Sequence, residues 1–577
     1  MSKPAFRPVD AFALLVLTVA SIIGINQYAY GLYNHCITIP FIKSLINPEL
    51  YGDDYLVAEI KYFYSLFLPG CSFLIKLLQS SLPATFFILY SISLYATLAA
   101  FFLIALKLFE RRDVAYFSTM FLIFSLTTLG QERTVENLLM ERTLALPFLL
   151  FSFYAFFSKR YNTSALLAGI AFLFHPMSAS YVMAMLLACF LYQVVKEKTS
   201  RNFLIGAGIL VVAVSPVFIM KFINPAPGLS LIHVSQEWIE LLRIRSAHHV
   251  FPTTWSGTEI LQALALVAGF ILAWKYKPRL EEHRIVMIFF ATLLGLFFIG
   301  TVFTEIIPVA VVIQFQVFRS FKFLVFFAIL YYANFIFTEP NTKLGIARKA
   351  LLTALIVAPY LQESKTVLAG LLLLVLTVMP GLLLIEKAKK NLVKYLIPVQ
   401  LSMLLLMGIA GSLNRVQFSI KNAQEKNWLS VQQWAKQNTP VDAAFIVPPH
   451  LEGFRVESER ALYGEWKDGT QMFFDPLFGN EWMRRMKMMG YAERKPFKEA
   501  YDELSEKDFE KVALEMKPAH SKVYAVVSNE KDNLNFRKIY SNSKFSVYEV
   551  SSVEVAGVHL VEDSAHELVA QSAQVGD

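Results

Sequence analysis

The stretch that decides the fold is residues 31–70, GLYNHCITIPFIKSLINPELYGDDYLVAEIKYFYSLFLPG. It follows one apolar run (residues 11–30) and precedes another (residues 83–109). It is too polar to cross a bilayer and too patterned to be slack. Ile37, Phe41, Ile42 and Leu45 recur at helical spacing, and Leu56, Ile60, Phe63, Tyr64 and Phe67 repeat the pattern after the turn Pro48 to Asp54. Apolar residues at every third or fourth position predict two amphipathic helices lying along a membrane surface. Between them, Gly52-Asp53-Asp54 places two adjacent carboxylates on a turn.

The rest of the chain supplies the membrane. Of its 577 residues, 55% are hydrophobic and only 17% charged, with mean hydropathy +0.48. Soluble domains average about 45–50% apolar and about 25% charged. Apolar runs recur at spanning length, so the chain reads as a multi-pass α-helical membrane protein of about thirteen transmembrane helices over residues 1–413. The last of these falls at about 396–413, and the amphipathic first outer loop extends over 31–80. The net charge of +8 sits in short loops, where it sets topology, and nucleic acid is excluded as a partner. Lys3 and Arg7 before the first run place the N-terminus in the cytoplasm. Every loop then assigned inside is basic. Cys36, Cys71 and Cys189 have no metal-like spacing.

From residue 414 the composition becomes charged and rich in Trp. AAFIVPP (443–449), KVYAVVS (522–528) and KFSVYEV (544–550) predict strands; residues 428–437 and 497–516 predict helices. An odd helix count places this small α/β domain, 414–552, outside the cytoplasm. The tail 553–577 is acidic and small-residue-rich, as in disordered segments.

The outer loops carry more polar chemistry than connectors need. Asp53 and Asp54 can bind a divalent cation such as Mg or Mn, act as a general base, or simply cap a helix. Glu132, Arg133, Glu136, Glu141 and Arg142 share a helical face by their spacing; most read as solvated ion pairs, while Arg133 and Arg142 can hold a phosphate. His175 suits a phosphate or a proton, or a structural hydrogen bond. Arg245, His248 and His249 fit anion recognition better than a metal. Glu305, Arg319 and Lys322 lie at the outer end of a span, where a charge needs a partner or must snorkel. Arg455, Arg460 and Lys467 cluster in the soluble domain, in a loop after a strand. No Walker, GxSxG or HExxH motif is present, and few charges lie within the spans. Chemistry or binding at the membrane surface is favoured over ion-coupled transport.

This layout resembles the GT-C superfamily of integral-membrane glycosyltransferases. Asp53 and Asp54 match the acidic motif of that family's first outer loop, while Asn34-His35 stands where many members carry Asp or Glu. The resemblance implies a bacterial inner membrane and transfer of a sugar from a polyprenyl-phosphate donor to a glycan, lipid or protein acceptor. Asp53 or Asp54 would be base or metal ligand, with His35 beside them. Arg245, His248 and Arg319 would neutralise the lipid phosphate, and loop 448–471 would bind the acceptor or close the site. A glycan polymerase or ligase, and a non-catalytic polysaccharide or lipid transporter or assembly protein, are the alternatives.

Overall fold

The computed structural model describes residues 5–550 except 199, 228–229, 277–280, 384–398, 401, 405, 407–419, 421 and 532–533. The expected last span at about 396–413 and the tail 553–577 therefore lie largely or wholly outside the described residues. Eight described helical segments are long and apolar enough to cross a membrane, from Pro8–Ile25 to Lys343–Gln362. Their starts follow local chemistry. Pro83 and Pro176 sit at first-turn positions behind the caps Ser81 and His175, and Ser256 with Glu259 forms a capping box.

Burial separates the helices by role. In Phe321–Thr338 every residue from Phe321 to Ile336 is buried, so this all-round apolar helix is the bundle's axis. In Arg201–Ile223 only Gly206 and Val217 are buried, and Val212 and Phe222 are open, as on a lipid-facing helix.

Polar contacts sort the loops into two ends. At one end Arg112 and Tyr116 hold the buried Asp10, Lys107 bonds Glu282 at 2.7 Å, and Lys196 pairs with Glu281. At the other, the first loop, the loop after Leu122, helix Gln236–Val250 and the soluble domain meet. Among the described residues, Arg7, Lys107, Arg112 and Lys196, from loops assigned inside, fall at the first end.

Several expected elements differ. The first loop does form a helix, His35–Ile46, but the second pattern becomes a 3-10 turn, Val57–Tyr62, followed by a separate helix Phe67–Leu78. Residues 132–140 are not helical. Thr127–Thr128 (β1) and Glu132–Arg133 (β2) form a hairpin, because Gly130 and Gln131 take left-handed conformations that turn the chain back.

The soluble domain is a five-stranded sheet in the order β4-β3-β5-β7-β6, with β3 Ala444–Ile446, β4 Ala461–Leu462, β5 Val523–Ser528, β6 Arg537–Ser541 and β7 Phe545–Glu549. β3 runs parallel to β4 and β5, and β7 is antiparallel to β5 and β6. Alternation divides the faces. Phe445, Tyr524, Val526 and Val547 pack against Trp428 and Val431 of helix Lys426–Asn438, while Ala444, Ile446, Ala525 and Val527 face the larger core. The helix expected over 497–516 breaks into Phe497–Asp502 and Glu506–Met516, the second opened by a Ser505–Asp508 capping box.

Candidate functional site

The carboxylate pair of the first loop splits into two fates. Asp54 is buried, and its oxygens accept from Leu56 N (3.0 Å), Val57 N (3.1 Å), Leu462 N (2.8 Å) and Arg455 Nε (2.7 Å). It caps the 3-10 turn and pins the soluble domain at once. Arg455, itself fully buried, turns its other face to Asp468 at 3.0 and 3.2 Å. Glu465 accepts from Gly453 N and Phe454 N, and burial outweighs Arg455 to push its carboxyl up to about 8. Asp53 is exposed on the turn, at φ 52°, with no hydrogen bond or ion pair among the described residues. One oxygen donor consumed by Arg455 and one open to solvent do not make a divalent-cation site. Among the described residues no group of three or more His, Cys, Asp or Glu side chains is placed to hold a metal. The three cysteines are free and buried.

His35 also has a structural position. Its Nδ1 accepts from Gly31 N at 3.1 Å, and its Nε2 lies 2.7 Å from Leu139 O. Burial holds the imidazole down at about 4, so it is neutral. Arg460 closes the C-terminus of helix Lys426–Asn438, donating to Lys436 O (2.9 Å) and Thr439 O (2.7 Å). Glu305 accepts from Thr253 and Arg243. Arg455, Arg460, Glu305, Asp54 and His35 are thus committed to architecture.

The remaining basic candidates converge. Glu132, on β2, is buried and pairs with the equally buried Lys322 on the axial helix. Burial raises its carboxyl, but Lys322, Arg142 and Arg319 outweigh that and hold it at about 2. Arg142 bonds Glu136 at 2.7 Å, and Arg133, Glu136, Arg142 and Lys322 line a small cavity roofed by Tyr90 and Leu94. Arg319 stands beside this group. Its backbone packs on Gly130, where an added Cβ would lie 3.0 Å from Arg319 N. His249 Nδ1 donates to Gly130 O (2.9 Å), and its Nε2 lies 3.1 Å from His248 Nε2, both imidazoles held low by burial and then by Arg319. His175 caps its helix by accepting from Ser178 N and feels the same four charges, Glu132, Arg142, Lys322 and Arg319. Arg245 and Lys467 continue the line onto the soluble domain, Arg245 Nε donating to Trp466 O at 3.0 Å.

Two buried donors of this cleft have no acceptor among the described residues: Arg133 Nε and Arg319 Nε. Two buried acceptors, Glu132 Oε2 and Glu141 Oε1, have no donor among the described residues. Such groups are costly unless a ligand or water satisfies them. The arrangement suits an anion beside a carboxylate at the membrane surface. Glu132 and Glu136 escape a periodicity reading that treats them as solvated helix ion pairs, and Tyr181, which bonds Gln316 O at 2.9 Å, carries no sequence signal.

No curated protein matches this sequence. Residues 426–489 match a family model described as Domain of unknown function (DUF6798). Among solved structures, the fold is similar to ArnT from Cupriavidus metallidurans in the apo state, at TM-score 0.50 and 10% identity, covering 94% of this chain and 97% of that one. This chain has a GT-C fold. ArnT bound to undecaprenyl phosphate aligns at TM-score 0.47 and 10% identity over 95% of this chain and 98% of that one. The Archaeoglobus fulgidus oligosaccharyltransferase aligns at 0.41 and 11% identity, over 91% and 70%. The GT-C-type bundle here carries its charged cleft at the end where the soluble domain docks.

Proposed function

We propose that this protein is a membrane glycosyltransferase that moves a sugar from a polyprenyl-phosphate-linked donor to an extracytoplasmic acceptor. The observation that carries the reading is the cluster of half-buried Arg133, Arg142 and Arg319 with buried Lys322 around Glu132, with donors left unsatisfied, in a chain of GT-C fold. The arginines and Lys322 neutralise the phosphate as negative charge builds on the leaving oxygen. The acceptor hydroxyl or amide attacks the anomeric carbon and the bond from that carbon to the phosphate oxygen breaks. The electron pair leaves with the phosphate, and the acceptor proton passes to a carboxylate.

We assign the proton to Glu132, through its unbonded Oε2. Its low proton affinity belongs to the cleft without an anion. A phosphate docked among the same cations shares their charge and raises it. Asp53, the open carboxylate of the first loop, is the competing base. The end bearing the soluble domain is the extracytoplasmic one in this reading, as the basic loops at the opposite end require.

The test is a mass-spectrometric profile of polyprenyl-linked saccharides in cells lacking the protein, and in cells carrying Glu132→Gln or Asp53→Asn. Accumulation of a lipid-linked saccharide in the deletion and in Glu132→Gln, with normal membrane insertion, is expected. An unchanged profile in the deletion sinks the transferase reading and favours a non-catalytic assembly role.

A further inference from the structure

We propose that the carboxyl edge of the soluble domain's parallel strands is a saccharide-binding crevice and that the acceptor is a glycan seated there; its place in transfer rests on the transferase reading above, while the binding itself does not. β4, β3 and β5 lie side by side and run parallel. After β3 the chain leaves toward the face of Trp428 and Phe445, where Phe454 packs on Trp428 at 5.3 Å. After β4 it leaves toward the face of Ala444 and Ile446, where helix Glu506–Met516 packs on β3 and β5. Neighbouring strands whose connections part to opposite faces leave a crevice at their carboxyl ends, and in open α/β sheets that crevice is where ligands bind.

The loops at this edge carry the chemistry of a sugar site. Pro449 and His450 follow β3, Trp466 and Lys467 follow β4, and Trp466 N donates to Pro449 O at 2.9 Å, which holds the two loops together. Trp466, Tyr491 and Phe497 are half-buried and form one aromatic cluster, with Tyr491 5.1 Å from Trp466 at 34° and Phe497 5.6 Å from it at 81°. Polar groups without partners border the cluster. His450 Nδ1 is unbonded among the described residues, and its imidazole, held low by burial, feels Lys498, the neighbour of Phe497. The Lys467 side chain and the Tyr491 hydroxyl also make no hydrogen bond or ion pair among the described residues. A pyranose has a C–H face that meets the negative face of an aromatic ring and a rim of hydroxyls that bonds such polar groups. A purely aliphatic ligand would leave them unsatisfied. Arg245 Nε donates to Trp466 O at 3.0 Å, and His249 of the same helix bonds Gly130 O, which is seated against Arg319. Helix Gln236–Val250 therefore ties the crevice to the cationic cleft by contact.

The experiment titrates the purified full-length protein in nanodiscs, free of lipid-linked donor, with maltohexaose, chitohexaose and hexagalacturonate, read by tryptophan fluorescence and saturation-transfer NMR. At least one is expected to bind with a dissociation constant of about 1 mM or below. Tyr491→Ala should weaken that binding about three- to tenfold, and Tyr491→Phe, which keeps the ring, by less. Both should leave undecaprenyl phosphate binding unchanged, and Phe497→Ala serves where Tyr491→Ala does not fold. No binding by any of the three, full binding by the folded ring-deleted variant, or displacement of the bound saccharide by an unmodified Ser/Thr-rich peptide overturns the proposal. Saccharide binding together with an unchanged lipid-linked profile in the deletion strain removes the transferase reading and leaves the crevice a saccharide site.

Discussion

At the scale of single residues, the chemistry of this protein turns on which carboxylates are free. Asp54 is a better hydrogen-bond acceptor than base: three backbone N–H groups and a buried guanidinium already fill it. Asp54→Asn removes the charge opposite Arg455 but leaves Asp468 in place. We expect a loss of about 3 kcal/mol in stability, read as a lower temperature of detergent-solubilised unfolding, with donor binding retained in the folded fraction. Glu132 is the opposite case, an ionised carboxylate with one oxygen unbonded among cations. Glu132→Gln is expected to slow sugar transfer by about a hundred- to ten-thousand-fold while undecaprenyl phosphate still binds, and Asp53→Asn to change neither. A Glu132→Gln enzyme that turns over normally would return the base to the first loop.

At the scale of elements, the β1–β2 hairpin sets the cleft. Its turn brings Glu132 and Arg133 to the axial helix and seats Gly130 against the backbone of Arg319. At φ 75°, with Arg319 N 3.0 Å from where a Cβ would stand, this position tolerates only glycine without strain. Gly130→Ala is expected to cost about 1–2 kcal/mol and to weaken undecaprenyl phosphate binding by displacing Arg319. Normal binding by this variant would show that the hairpin does not position the cleft. The same element explains an error of periodicity. The charges of 132–142 repeat at helical intervals, but one glycine with Gln131 behind it reverses the chain before a helix can start.

At the scale of the whole molecule, the soluble domain is fastened to the first loop by a buried ionic knot. Arg455 is shared by Asp54 and Asp468, with Glu465 3.9 Å away. Lys43 reaches Glu459 and Val456 O at 2.7 Å, and Tyr55 stacks on Phe478 at 4.8 Å. Three carboxylates around one guanidinium leave one favoured as the acid, and Glu465, raised to about 8 by burial against an ordinary 4.5, takes that part. Its folded state binds the proton more tightly than the unfolded state does. Its contribution is therefore full below pH 4.5 and is lost as pH rises towards and through 8. The unfolding temperature should fall between about pH 4.5 and 8, and Glu465→Gln should flatten that slope. A slope unchanged in Glu465→Gln would place the titration elsewhere.

Composition and apolar run length determined by themselves that this chain is a multi-pass bundle with a charged α/β domain, because a bilayer admits few other solutions for such runs. Short apolar runs in residues 443–449, 522–528 and 544–550 likewise marked three strands of the sheet, while β6, with an exposed and irregular face, carried no such mark. Sequence also picked out most of the cleft's cations, since an arginine or lysine at the end of a span needs a partner. Only the tertiary structure decided which partner. Asp53 and Asp54 are adjacent in sequence, yet one is sealed by Arg455, which lies 401 residues away, and the other faces solvent. Whether a carboxylate is a base or a bolt depends on the donors brought to it by distant segments, and local spacing holds no record of those.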